Sequence, residues 1–398
     1  IARYNGWIPN LAVYNAYLNH IICLATAQLE AHGAHVPPVE EFRQAIQADS
    51  TIYSLDRYSL LFGQVHNFNH MLHLFGLVVA APPRFMVGGG GGQVSEPIGV
   101  PICLVFDLLS NTSAAYDLFR MEEFNQVLRQ LLNSWGDYLK TLDSNSTLTG
   151  EGDGWFGPAG IQSLEAGLGH ISFNQTYVVP NPDAVNRSDN SWDAFFTRGI
   201  QPNARPIVPA QPRAIIGNAC ESTVERITFN VKRHDKFWLK GTMAYSWYDI
   251  FDGSNNITQQ FSGGTVDLHL AQRHNKCQGY VSGDSPEDSR MPGKGGDVRG
   301  SLIRSHPWLT VAATRAIITI QADDDRIGLV AFIGIGMAGV STCQILVQAN
   351  QRARPGDELG MFYFGGSSHA LFFRRGARIN FEHDVQVGRH LWVNRIIA

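Results

Sequence analysis

The tetrapeptide Gly365-Gly366-Ser367-Ser368 near the C-terminus combines residue types that can cut their own peptide chain. A serine hydroxyl can attack the carbonyl of the preceding residue, and the resulting ester can break by β-elimination. Glycine before the serine favours this reaction, because a residue without Cβ can adopt a strained backbone and leaves its carbonyl open to attack. A turn between two strands would use the same residues, so the tetrapeptide alone leaves both interpretations open.

The chain that must position this segment changes its pattern along its length. Apolar residues recur three and four apart in 14–24 and 124–132, which predicts a helical N-terminal region over 1–177. Residues 178–212 are dense in Pro, Asn and Asp and predict an extended crossing segment. Short β-branched or aromatic runs then predict strands at 227–231, 237–239, 316–320, 328–333, 343–347 and 371–373. We therefore expect an α+β fold with a β-rich domain over 213–398.

The composition excludes several classes of protein. With 398 residues, 44% hydrophobic and 17% charged, the chain is that of an ordinary globular protein. Its net charge of −4, without long runs of one sign, indicates no basic patch that would bind nucleic acid or an anionic membrane surface. The apolar stretch 327–340 is shorter than the ~20 residues of a membrane span, so it predicts a buried strand. The N-terminus shows no signal pattern, and we expect a cytoplasmic protein.

Cysteines and glycine-rich segments offer no second chemistry. The five cysteines are scattered and lack a Cys-x-x-Cys pair, which argues against disulfides and zinc and predicts reduced, largely buried thiols. The glycine run at 88–92 is interpreted as a loop tip or linker, because no Lys-Ser/Thr follows as in a phosphate-binding loop. The polar segment 282–300 predicts a mobile surface loop that could serve as a lid.

Segments from about 215 to 385 resemble, in order, the phosphatidylserine decarboxylase family, in which a Gly-Ser bond is the self-cleavage site. The matching segments include 218–223 (NACEST), 234–241 (HDKFWLKG), 356–362 (GDELGMF) and 364–369 (FGGSSH). The helical half, with 135–139 (WGDYL) and 192–198 (WDAFFTR), looks like the fungal branch of this family that decarboxylates free aromatic amino acids such as tryptophan.

The resemblance implies roles for particular residues. The chain would cut itself between Gly366 and Ser367, and Ser367 would become a pyruvoyl group. His274, with Gly279 five residues later, corresponds to the family's base for self-cleavage. Glu221 corresponds to the carboxylate that orients this base, with Glu in place of the family's Asp.

Three further positions concern the decarboxylation step. His369 follows Ser367 by two residues and would lie near the pyruvoyl group, although strand alternation could turn it to solvent. The family's first histidine falls on Ala271, and His269 is a substitute with different spacing. The group that protonates the product carbanion is therefore open. Asp235 resembles a structural turn of the family rather than a catalyst.

The implied mechanism needs neither a metal nor an external cofactor. The pyruvoyl carbonyl would form a Schiff base with the amine of a small amino acid and take up electrons as carbon dioxide leaves. The two fragments of self-cleavage would stay associated. Three hypotheses remain: a soluble aromatic amino-acid decarboxylase, which we favour, a phosphatidylserine decarboxylase acting at a membrane, and a non-cleaving, non-enzymatic relative.

Overall fold

The computed structural model describes residues 11–52, 65, 67–87, 95–99, 101–107, 118, 121–166, 168–169, 171–207, 215–232, 236–239, 243–251, 253–271, 315–336, 342–364 and 367–398. Helices dominate these residues up to Phe196 and strands dominate from Ser222 onward, which confirms the α+β class. A helix at Trp192–Phe196 lies inside the segment predicted to be extended, 178–212. The predicted bounds of the two domains stay predictions.

The first part is a layer of helices around one apolar core. Its helices are α1 (Leu11–Glu30), α2 (Pro37–Ala48), α3 (Phe68–Val79), α4 (Pro101–Asp107), α5 (Glu122–Leu139), α6 (Pro158–Glu165), α7 (Phe173–Thr176) and α8 (Trp192–Phe196), with a 3-10 helix at Leu142–Thr147. In α5 the buried residues Leu131, Trp135 and Leu139 are spaced by four, so they form one face toward the core. The Ser191 side chain accepts a hydrogen bond from the Ala194 N–H and so caps α8.

One element of the helical part was not predicted from the pattern. Strands β1 (Arg84–Val87) and β2 (Ser95–Ile98) form an antiparallel hairpin in which Arg84 lies opposite Ile98. The glycine run at 88–92, between these strands, lies outside the described residues, as does the segment 282–300.

The second part is built on a six-stranded antiparallel sheet. Its elements are β3 (Ser222–Val231), β4 (Lys236–Leu239), β5 (Met243–Ser246), α9 (Trp247–Ile250), α10 (Asn255–Phe261), β6 (Gly264–Ala271), β7 (Arg315–Gln321), β8 (Leu329–Ile335), β9 (Thr342–Ile345), β10 (Gly360–Tyr363), β11 (Ser367–Phe373) and β12 (His390–Leu391). The sheet order is β12-β3-β6-β11-β8-β7, so β11 is central. The six predicted strands are confirmed, including a strand within 327–340.

Apolar side chains cover both faces of this sheet. On one face Phe372 packs edge-on against Phe251 of the segment before α10. On the other face Phe373 packs with Leu391 and Ile397 of the C-terminal segment. Both faces of the sheet are therefore covered, and a polar side chain on either face is shielded from water.

Two further expectations concern thiols and membranes. Cys23 is exposed and Cys220 and Cys343 are half-buried, so the prediction of largely buried cysteines was wrong for the three whose side chains the structure describes. None of these three forms a disulfide. Burial raises the pKa of the Cys343 thiol to about 11, which keeps it protonated. Among the described helices, none has the length and apolar character to cross a membrane.

Candidate active site

Three strand ends meet where Ser367 lies. Ser367 is the first residue of β11 and is opposite Ala271, the last residue of β6. Ala271 is also opposite Ser222, the first residue of β3. Because neighbouring strands lie about 4.8 Å apart, these three positions form one row across the sheet, at one end of its strands. Gly365 and Gly366 lie outside the described residues.

This row relates the predicted base and carboxylate to Ser367. Glu221 directly precedes Ser222 at the start of β3. His274 follows the end of β6 by three residues and lies outside the described residues. The fold thus brings Glu221 and Ser367 to the same end of the strands. The strand β6, which leads toward His274, lies between them. The role of His274 stays a prediction.

Glu221 is a buried carboxylate in an ion pair, not an exposed one. Its Oε1 accepts a hydrogen bond of 2.6 Å from Arg205 Nε, and the side chains are 8% and 2% exposed. Its Oε2 accepts a hydrogen bond of 3.2 Å from the Val393 N–H and lies 3.8 Å from His390 Nε2. Burial, and secondarily Arg205, lower the pKa of His390. Glu221 therefore joins the start of β3 to the C-terminal segment, whatever its role in catalysis.

His369 is fully buried in β11, so the alternative that it points to solvent was wrong. Its ring stacks on Phe332 with 5.5 Å between centroids. It lies two residues, about 7 Å of strand, from Ser367. In the neighbouring strand His269 is directly opposite, and Asp267, also fully buried, is two residues further along. A histidine and a carboxylate thus occupy the dry interior beside the candidate cleavage site.

The chain before the two glycines is held by the helical part. Phe364 is 6% exposed and belongs to the apolar core of the helices. Its ring lies 5.4 Å from Phe196, 5.5 Å from Trp192 and 6.3 Å from Trp135, centre to centre and edge-on. The Trp135 indole N–H in turn donates a 3.0 Å hydrogen bond to the Ala81 carbonyl. The segment that leads to the candidate cleavage site is therefore packed against aromatic rings from both α5 and α8.

Sequence reasoning missed Arg205, Asp267 and the anchoring of Phe364. Arg205 lies in an irregular Pro-rich segment, where no periodicity indicates what it contacts. Asp267 did carry a signal, because a carboxylate within the strand-like run GTVDLHLA is unusual unless the site is functional or paired. The described residues contain no group of three or more His, Cys, Asp or Glu arranged to hold a metal ion.

Comparison with known proteins covers both parts of the chain. Two family models, both described as phosphatidylserine decarboxylase, match residues 36–164 and 192–398. A protein named decarboxylase iboD from Amanita muscaria is 43% identical over 343 residues, which are 81% of this chain and 97% of that protein.

Two other relatives differ in how much of the chain they share. An L-tryptophan decarboxylase from Psilocybe cubensis is 24% identical over 427 aligned positions, covering 100% of this chain and 94% of that protein. A phosphatidylserine decarboxylase proenzyme from Chlamydia pneumoniae is 27% identical over 201 residues, covering 49% of this chain and 63% of that protein. The amino-acid decarboxylase thus shares the helical part as well as the β part.

Proposed function

The chain belongs to the phosphatidylserine decarboxylase family, and on that premise we propose that it is a pyruvoyl-dependent decarboxylase of free aromatic amino acids, with tryptophan favoured. The observation that carries the proposal is the position of Ser367 at the head of the central strand, beside the ends of β3 and β6. Membership makes it a decarboxylase. The pyruvoyl group and the substrate are the proposed part.

The surroundings of Ser367 fit a group made from the chain itself. The preceding residues are two glycines, as the cleavage chemistry asks. The next residues, Ser368 and His369, are 1% and 0% exposed, so the new N-terminus would lie at the entrance to a dry interior. A pyruvoyl group there would supply a carbonyl that takes up electrons as carbon dioxide leaves.

We expect the two fragments to remain together after cleavage. The small fragment would begin with β11, which has paired strands on both sides, with register from Ser367 to Phe373 along β6. It would end with the segment whose Val393 N–H binds Glu221 of the large fragment. Neither contact includes the bond that would break.

His369 and Glu221 would serve different steps. The buried imidazole of His369 can hold a proton away from bulk water, which suits the protonation of the carbanion after carbon dioxide loss. The carboxylate of Glu221 is fixed by Arg205 at the start of β3, which lies beside the strand that leads toward His274, and this position suits the orientation of His274 during self-cleavage. These assignments rest on position together with the family resemblance.

The choice of a free amino acid over a lipid rests on the extent of similarity. The relative named L-tryptophan decarboxylase matches the whole chain, whereas the phosphatidylserine decarboxylases match about half of it.

Intact mass of the purified chain tests the proposal first. We expect a fragment ending at Gly366 and a small fragment starting at position 367 that carries a blocked, keto-containing N-terminus. Ser367→Ala removes the attacking hydroxyl and should leave one uncut chain without activity, while Ser368→Ala is the matched control and should still be cut. A wild-type chain that stays in one piece would overturn the pyruvoyl mechanism.

Carbon dioxide release then separates the substrates. We expect release from tryptophan, phenylalanine or tyrosine and none from phosphatidylserine vesicles. Release from the lipid alone would reject the amino-acid assignment and favour the membrane alternative.

A further inference from the structure

A cavity of about 340 Å³ lies in the helical part, between α1 and α3 and the segment that leads into β1. Residues spaced by three or four on each helix line it: Tyr17, Ile21 and Leu24 on α1, and His73 and Leu77 on α3. The volume lies within the range of small-molecule sites, which are mostly apolar with a few convergent polar groups. The cavity has both features.

The polar groups of the cavity are cationic or neutral. Arg84, half-buried on β1, lines it, and no carboxylate in the described part of the chain pairs with this guanidinium. The cavity lining contains no aspartate or glutamate at all among the described residues. Tyr17 is 5% exposed, and its phenol lies close enough to Arg84 to feel its charge. Burial raises the pKa of Tyr17 well above its usual value, so it remains a hydroxyl donor.

Two histidines add neutral donors and acceptors. The rings of His35 and His73 lie 4.4 Å apart, and His35 Nε2 is 2.7 Å from Asn69 Oδ1. Burial, followed by the neighbouring His35 and His70, lowers the pKa of His73, which keeps its ring neutral. The Nδ1 atom of His35 is buried without a hydrogen-bond partner among the described residues.

We propose that this cavity binds a small organic acid: a carboxylate held by Arg84 and the Tyr17 hydroxyl, with an apolar body between α1 and α3. A cationic amine is disfavoured by charge, because it would enter beside Arg84, and none of the described lining residues is a carboxylate that could compensate it. A zwitterionic amino acid would leave its ammonium in the same position. The site therefore differs in chemistry from the proposed catalytic site, which must receive an amine.

The floor of the cavity connects to the cleavage site. Ala81 and Pro83 line the cavity, and their carbonyls accept hydrogen bonds from the indole N–H groups of Trp135 and Trp155, at 3.0 and 2.8 Å. Trp135 also packs on Phe364, three residues before Ser367. A bound acid would thus change the surroundings of two indoles, which gives the experiment an optical signal independent of decarboxylation.

The test uses phenylacetate and 2-phenylethylamine, which share a ring and differ in the sign of their charge. We expect saturable binding of phenylacetate to the Ser367→Ala chain, which lacks the proposed pyruvoyl group, measured by calorimetry and tryptophan fluorescence, with at least tenfold weaker binding of the amine and of phenylalanine. Arg84→Gln should weaken phenylacetate binding about tenfold or more, because a charged hydrogen bond is lost. Arg129→Gln, on an exposed position of α5, is the matched control and should change nothing.

The remaining outcomes each decide the proposal. Ser367→Ala should bind phenylacetate as the wild type does, whether or not the chain cuts itself. Loss of binding in that variant would place the acid at the cleavage site and overturn the cavity assignment. So would equal binding of acid and amine, or no saturation by 10 mM. If Arg84→Gln does not fold, Arg84→Lys replaces it, and the ranking of acid over amine in the Ser367→Ala chain still decides the outcome.

Discussion

The two segments on either side of the candidate cleavage site are held by different forces. Upstream, Phe364 is packed among rings of the helical part, including Trp192 and Phe196, without a strand partner of its own. Downstream, Ser367–Phe373 is paired with a strand on each side. Side-chain packing is non-directional, whereas a strand ladder fixes register residue by residue.

This difference assigns a separate task to each part of the protein. The ladder determines where position 367 lies relative to Ala271 and Ser222. The aromatic packing fixes Phe364, the residue that directly precedes the two glycines. Neither the aromatic packing of Phe364 nor the strand pairing of β11 depends on the bond between Gly366 and Ser367. Cleavage of that bond would leave both in place.

The largest effect should come from the buried ion pair between Arg205 and Glu221, at the start of β3. Glu221→Gln leaves Arg205 charged and buried, and removal of one partner of such a pair costs about 3–5 kcal/mol. Urea unfolding of the uncleaved Ser367→Ala background should show this loss. The same background avoids any confusion between stability and self-cleavage.

Asp384→Asn is the control for this prediction. Asp384 pairs with Arg395 at 2.9 Å, but both side chains are partly exposed, and such pairs contribute less than about 1 kcal/mol. Equal losses in the two variants would show that burial does not distinguish the pairs. A Glu221→Gln chain as stable as its parent would contradict the structural role described for Glu221.

The elements of the downstream part were largely predictable, whereas their contacts were not. The run Leu371-Phe-Phe predicted a strand, but its extension back to Ser367 depends on two flanking strands rather than on the residues Ser, Ser and His themselves. Alternation assigns His369 to a face of β11, and its burial depends on what packs on that face, including Phe332 of β8, on which its ring stacks.

The site shows the same limit of sequence reasoning. Glu221 was chosen by family position, yet its partner Arg205 lies 16 residues earlier in a segment without periodicity. Chain path, not local pattern, brings the two together. The family resemblance predicts a role for Ser367 because a cleavage motif is local in sequence, whereas the rings around Phe364 come from two distant helices.

For Phe364, on the upstream side, we expect a smaller loss of stability than for Glu221 but a clear loss of cleavage rate. Phe364→Ala removes a nearly buried ring from the aromatic cluster and should cost about 3 kcal/mol. Because the glycines would lose their fixed starting point, self-cleavage should slow by about tenfold or more. The rate is measured by mass spectrometry of freshly synthesised chain.

Phe372→Ala is the matched variant on the other side. Phe372 is fully buried and packs on Phe251 and Phe261, so its loss should cost at least as much stability. The remaining strand pairing should keep position 367 in register, and cleavage of the folded chain should stay near the wild-type rate. If both variants slow cleavage equally, the packing of Phe364 and the strand pairing of β11 do not contribute differently to cleavage.

The smallest effect depends on pH and concerns Asp189, three residues before the upstream ring Trp192. Burial raises the pKa of this carboxyl to about 6, and Arg198 and Arg187 oppose that shift only in part. Between about pH 4 and 6 the folded chain keeps a proton that the unfolded chain has released, so stability falls as pH rises through this window.

Asp189→Asn removes the penalty and should stabilise the protein by about 1–3 kcal/mol at pH 7, and by close to nothing at pH 4. Thermal unfolding at the two pH values measures the difference, with the exposed Asp183→Asn as control. A gain that is the same at both pH values would mean that Asp189 does not titrate in this window, and the upstream packing would then be as insensitive to pH as the strand ladder.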